Sequence, residues 1–257
     1  MTALRALLFD VDGTLADTER DGHRIAFNRA FADAGLDWVW TPELYGELLA
    51  VTGGKERMLH YVARCRPDFA SRPDLAGLVA RLHRAKTAIY VEMLDAGVIP
   101  LRPGVERLLR AALEAGYRLA IATTTTPENV TALLRNALAP DAESWFQLVA
   151  AGDVVPRKKP APDIYTWAMD RLGVAPDECV AFEDSRHGLD SATGAGIRAV
   201  VVTVNDYTRS QDFHGATLVL DSLGEPDRPA GRLAGVVAFD GCCTLETVRA
   251  VHAAACG

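Results

Sequence analysis

The chain lacks any run near the ~18 consecutive apolar residues that a bilayer-spanning helix needs. It also lacks a stripe of Lys and Arg. With 27 basic against 34 acidic side chains the net charge is −7, which speaks against a nucleic-acid partner. Cysteine is scarce, five in 257 residues, and none forms a C-x-x-C pair. An odd, unpatterned set points to reduced thiols in the cytoplasm rather than a disulfide framework or a zinc site. The adjacent Cys242–Cys243 has no histidine or third cysteine at ligand spacing, and Cys179 in ECVAFED reads as a small core residue. Internal repeats and low-complexity tracts are missing too. The opening MTALRALLFDVDGT is a poor secretory signal, because its apolar stretch is short and acids follow it. The expectation is a cytoplasmic protein with a small-molecule substrate, no membrane and no obligate protein partner.

What is present is enough apolar surface for a packed core: 49% of residues are apolar and 24% charged. Five short apolar runs stand out, Ala3–Phe9, Tyr117–Ala122, Leu148–Ala150, Cys179–Phe182 and Ala199–Val204. Continuous rather than alternating apolarity predicts strands buried on both faces of a parallel sheet. The spacings after Tyr117 leave room for one helix between successive strands, and the candidate crossover helices are Gly104–Ala115, Glu128–Ala137, Asp163–Leu172 and His187–Gly194. The fold class is therefore α/β, a Rossmann-like doubly wound parallel sheet.

Between the first two strands lie ~85 residues of helical periodicity, more than a crossover needs. An inserted α-helical cap domain follows. The expected division is a core of residues 1–16 plus 98–222, a cap of 17–97, and a linker with a short helical tail over 223–257. Gly224–Gly235 (GEPDRPAGRLAG) is the linker by composition, and Thr244–Ala255 is the tail helix.

Directly after the first strand stands Asp10-Val11-Asp12-Gly13-Thr14. In an open parallel sheet ligands bind at the carboxyl ends of strands. Two carboxylates there are costly unless a cation or substrate compensates them, which argues against a plain turn. DVDGT occupies the place where a dinucleotide-binding module would carry G-x-G-x-x-G, and its charge would repel a pyrophosphate.

DVDGT resembles the first motif of the haloacid-dehalogenase superfamily of phosphatases and mutases, and three more motifs follow in order. Thr123, opening Thr123-Thr124-Thr125-Thr126 after the second strand, is similar to the family's strand-end hydroxyl. Lys159 in KKPAPD resembles its lysine, and Glu183-Asp184-Ser185 its acidic motif. The resemblance spans nearly the whole chain. It implies one phosphoryl-transfer site with Asp10 as nucleophile, forming an aspartyl-phosphate, and Asp12 as general acid and base. It implies Mg²⁺ as cofactor, held by Asp10, the Asp12 carbonyl and Asp184, with Glu183 orienting bound water. Lys159, Thr123 and Thr124 would bind the substrate phosphate. Lys158 reads as a solvated surface lysine.

Within the cap and its connections Asp17, Glu19, Arg20, His23, Tyr45 and Thr52-Gly53-Gly54-Lys55-Glu56-Arg57 are unusual. Gly-Gly beside Lys and Arg suits a turn that delivers positive charge to an anion, though a solvated helix face is the alternative. Asp17, His23, Lys55 and Arg57 are the candidate cap contacts. The segments DTERDGHRIAFNRAF, LDWVW, LLAVTGGKER, ATTTTPENV and AGDVVPRKKPAPDIY resemble the CbbY-like branch, which accompanies Calvin-cycle proteins in autotrophs. That resemblance implies a phosphatase removing one phosphate from a sugar bisphosphate, xylulose-1,5-bisphosphate, with Lys55, Arg57 or the Thr124 and Thr125 hydroxyls on the phosphate that stays. A β-phosphoglucomutase-like enzyme, or a phosphatase of another small ester, shares every core motif. A hydrolytic dehalogenase needs no second acid, so Asp12 argues against it.

Overall fold

The computed structural model describes residues 2–257. After strand β1 (Ala6–Phe9) the chain passes into helices and returns to the sheet only at β2 (Arg118–Ala122). It divides into two compact units, Met1–Asp17 with Pro100–Gly257, and Thr18–Ile99, against cap limits of 17–97 expected from the sequence.

The unit Thr18–Ile99 is all helical: α1 (Arg24–Asp33), α2 (Pro42–Leu48), α3 (Gly54–Cys65), the single turn α4 (Pro67–Ala70) and α5 (Leu75–Asp95). Pro42 at the first position of α2, with Thr41 Oγ1 accepting from Leu44 N, sets that helix start. The connection from α1 to α2 is fixed by mutual hydrogen bonds between the Asn28 side chain and the Trp40 backbone, 2.8 and 2.9 Å. Trp38 and Trp40 are buried against Phe31, with Tyr61 edge-on to both. Removing each indole from water contributes about 4–6 kcal/mol before ordering costs, so this aromatic cluster is the core of the unit. Among the described residues no helix is long and apolar enough to cross a membrane.

The other unit contains helices α6 (Val105–Glu114), α7 (Pro127–Leu133), α8 (Asp163–Leu172), α9 (Arg186–Gly194) and α10 (Leu245–Cys256). They accompany β3 (Leu148–Ala150), β4 (Cys179–Glu183), β5 (Val200–Thr203), β6 (Leu218–Leu220) and β7 (Arg232–Gly235). The sheet order is β3-β2-β1-β4-β5-β6-β7, parallel throughout except for the antiparallel β6–β7 pair. The fold is the expected α/β doubly wound sheet. Strands β1, β4 and β5 are buried along their whole length, as continuous apolar runs require.

Two segments form strands that the sequence reading did not expect, the tail helix forms as expected, and one crossover helix closes early. Leu218–Leu220 forms a sixth strand too short to stand out as a run. Gly224–Gly235, expected as a linker, supplies β7 and is held to the core; Arg107 donates to the Gly224 carbonyl at 2.6 Å. The tail helix α10 is capped by Thr244 and joins this unit, with Val248 and Val251 buried and His252 meeting the Asp177 carbonyl at 2.7 Å. The expected helix Glu128–Ala137 closes at Leu133 and continues as a widened turn, Leu134–Leu138.

Candidate active site

Register places the site. Phe9 lies opposite Phe182 on one side and Ile121 on the other, and the Phe9 and Phe182 rings stack with centroids 4.5 Å apart. One residue further along, Asp10 leaves β1 beside Glu183, its amide donating to the Phe182 carbonyl at 3.0 Å. Thr123 follows the end of β2, its amide bonded to the Ala150 carbonyl at 2.9 Å. The carboxyl ends of three adjacent strands thus converge at the point where strand order reverses about β1.

Asp10, Glu183 and Asp184 are buried, and one carboxylate oxygen from each lies within 4.8 Å of the others. Lys159, also buried, enters this cluster from the segment before α8 and donates to Asp10 Oδ1 at 2.8 Å and Glu183 Oε1 at 2.6 Å. Tyr165 on α8 donates to the same Glu183 oxygen at 2.5 Å. Burial pushes the Asp10 carboxyl above its ordinary value against the pull of Lys159, with Asp12 adding to the rise. Burial and the Asp10 charge push Glu183 up to about 7, and Asp184 is raised well above the usual range by burial, Asp10 and Glu183. For Lys159 burial works to lower the pKa, but Asp10 and Glu183 outweigh it and the group stays charged.

Three acids facing one lysine leave an excess of negative charge in a dry place. Glu183 Oε2 is buried without a hydrogen-bond partner. An all-oxygen set with a spare buried lone pair fits a hard divalent cation such as Mg²⁺, and a thiophilic metal poorly. A cation there reverses the pKa logic, because the carboxylates then ionise onto it.

Two glycines keep this geometry. Gly13 takes φ +84°, and a Cβ on it would collide with the Asp184 carboxylate and Asn205 Nδ2. A Cβ on Gly188 would overlap the Glu183 carboxylate. Asn205, absent from the sequence expectation, donates to Asp184 Oδ2 at 2.6 Å while its Oδ1 accepts from Tyr207 N at 2.9 Å. Its signal in the sequence is weak, a lone polar residue two positions past the end of a strand.

The remaining expected site residues fall as follows. Asp12 is half-buried within the DVDGT turn, and Thr124 half-buried beyond β2. The buried Thr123 hydroxyl oxygen accepts from Thr125 N at 3.4 Å, which leaves its O–H as a donor. Asp17 pairs with Arg102 at 3.4 Å. Lys158 turns to Asp153 at 3.2 Å. In the helical unit, buried His23 meets Lys86 Nζ through Nδ1 at 2.8 Å and lies against the Tyr90 ring. Lys55 and Arg57 do not form one basic patch, because residues two apart on a helix point to different faces. Lys55 is exposed, as the solvated-face alternative has it, whereas Arg57 is buried. The Arg57 guanidinium donates to Tyr45 Oη at 2.8 Å and pairs with Glu19 at 3.5 Å; Tyr45 also bonds Glu19.

This burial changes what Arg57 is expected to do. Arg57→Met should destabilise the protein by about 2–3 kcal/mol, because it strands the largely buried Glu19 charge. Lys55→Met should leave the melting temperature unchanged. Thermal denaturation of both variants checks this, and an unchanged Tm for Arg57→Met would make the Glu19 pair inconsequential.

A family model for haloacid dehalogenase-like hydrolases matches residues 4–196. Among characterised relatives, the protein CbbY of Rhodobacter capsulatus is 53% identical over 213 residues, 83% of this chain and 91% of its own length. Crystal structures of CbbY from Rhodobacter sphaeroides are 48% identical and superpose with a TM-score of 0.79, covering 85% of this chain and 94% of that one. One is a complex with phosphate, and one, an aspartate-to-asparagine variant, a complex with xylulose-1,5-bisphosphate. The chain belongs to the haloacid dehalogenase-like hydrolases, in their CbbY-like branch, and is an enzyme of the phosphatase type.

Proposed function

We propose that this enzyme is a Mg²⁺-dependent phosphatase that removes one phosphate from xylulose-1,5-bisphosphate through an aspartyl-phosphate on Asp10. The observation that carries the reading is the buried meeting of Asp10, Lys159, Glu183 and Asp184 at adjacent strand ends. The sugar is taken from the bisphosphate complex of the Rhodobacter sphaeroides relative. Its five free thiols suit a reducing cytoplasmic setting.

In this reading an Asp10 carboxylate oxygen attacks phosphorus in line, and the bond to the sugar oxygen breaks. Asp12 gives that oxygen a proton as it leaves, so the sugar departs as a neutral alcohol. Asp12, now ionised, takes a proton from water. The water oxygen bonds to phosphorus, and inorganic phosphate leaves with Asp10 regenerated. Lys159 restrains the Asp10 carboxylate and supplies fixed positive charge to the phosphoryl oxygens, while the Thr123 hydroxyl donates to one of them. Thr124, the next residue, is assigned the same role. Asp10, Asp184 and the Asp12 carbonyl, with Glu183 beside them, would hold Mg²⁺, whose charge would let a carboxylate approach a phosphate dianion.

Phosphate release from a panel of sugar mono- and bisphosphates tests the proposal. Chelation with EDTA should silence the enzyme and Mg²⁺ restore it. Ca²⁺ should restore it poorly, because its larger and looser coordination misplaces nucleophile and phosphate. Full activity in metal-free buffer would return the dehalogenase-like chemistry to contention.

A further inference from the structure

Arg102 is buried among carbonyls from three separate stretches of chain, a place where a guanidinium is tolerated only if its donors are satisfied. They are. Nη1 donates to the Gly13 carbonyl, to the Thr203 carbonyl at 2.9 Å and to Thr203 Oγ1 at 3.2 Å. Nη2 donates to the carbonyls of Val204 at 2.6 Å and Asp221 at 2.8 Å, and Nε faces Asp17 Oδ1 at 3.4 Å. The Arg102 amide itself bonds the Leu15 carbonyl at 2.8 Å.

Most of these partners are strand ends, which a purely structural clamp would explain. Gly13 is different, because it follows Asp12 directly. Its amide is held by the Ala16 carbonyl at 2.8 Å, its Cα is hemmed in by Asp184 and Asn205, and Arg102 fixes its one remaining polar group. We infer that Arg102 is a positioning residue for catalysis: it fixes the Gly13–Thr14 peptide, which together with the held Gly13 amide orients Gly13 and the preceding Asp12, and so sets the aim of the Asp12 carboxyl. Proton transfer is steeply sensitive to placement, and a displacement of about 1 Å costs on the order of 10²-fold in rate. The inference rests on the phosphatase reading, because it assigns Arg102 to the acid–base step of that reaction.

Lysine keeps the charge at this position but offers three donors from one point, and cannot span the carbonyls of Gly13 and Asp221 together. With p-nitrophenyl phosphate and saturating Mg²⁺, Arg102→Lys should lower kcat by about 10–100-fold and KM along with it, with kcat/KM within threefold, because formation of the aspartyl-phosphate from this ester needs no proton from Asp12. Thr203→Val removes a different contact of the same guanidinium and should keep kcat within threefold even if Tm falls. Arg102→Gln is the second variant, with circular dichroism and Tm reporting whether each is folded. A folded Arg102→Lys or Arg102→Gln with kcat within threefold overturns the inference. So does an equal kcat loss in Thr203→Val, or unfolding of both Arg102 variants, since either makes Arg102 a stability residue only. Silence of the unaltered enzyme on every phosphate ester would instead refute the phosphatase reading, and the inference with it.

Discussion

Asp10→Asn should yield a folded protein with no measurable steady phosphate release, below roughly 10⁻⁴ of the parent rate, the scale on which nucleophile removal acts elsewhere. An amide oxygen is neutral and a poor nucleophile, and its product with a phosphoryl group would not return the starting side chain. The fold should survive because the change removes repulsions between acids along with the one attraction to Lys159. The neutral amide no longer opposes Asp12 and Glu183, while Lys159 keeps its ion pair with Glu183 at 2.6 Å. The measurement is steady-state phosphate release beside Tm. Appreciable turnover from a folded Asp10→Asn variant would move the nucleophile elsewhere.

Asp12→Asn should cost roughly 10²–10⁴ in turnover of a sugar phosphate, the usual worth of a positioned acid and base. In the proposed mechanism the half-buried Asp12 has a task in each half of the reaction, and the two halves can be separated. A p-nitrophenolate leaving group needs no proton, so the first half should continue in the variant. Activation of water still needs the base, and the second half should stall. Rapid mixing with p-nitrophenyl phosphate should therefore show a burst of about one nitrophenolate per enzyme before a slow steady state. A rate within a few-fold of the parent, with no burst, would remove Asp12 from the mechanism.

What could be read in the sequence follows from what local chemistry records. Strands β1, β2, β4 and β5 announce themselves because burial on both faces leaves an unbroken apolar run, and the candidate site lies at their ends, where Asp10, Thr123 and Glu183 are adjacent in sequence to those runs. Strand β7 left no such trace. It is an antiparallel edge strand with every residue exposed, set in a Gly- and Pro-rich stretch, so its composition matched a linker. Arg102 and Asn205 were illegible for another reason. Arg102 bonds Gly13 and Asp221, 89 and 119 residues away, and Asn205 finds Asp184 only when β4 and β5 pair. Arg57 shows the converse. Its charge was visible beside two glycines and suggested an anion grip, but its burial with Glu19, 38 residues distant, was not.

The central claim is that this site hydrolyses one phosphate ester of a ketopentose bisphosphate and then stops. The most direct test is the stoichiometry of inorganic phosphate released from xylulose-1,5-bisphosphate with Mg²⁺ present, with the sugar product identified. The account predicts about one phosphate per sugar and a xylulose monophosphate that accumulates. An isomeric bisphosphate or a relocated phosphate without release would make the enzyme a mutase. No release from this sugar, with rapid release from an unrelated ester, would contradict the assignment.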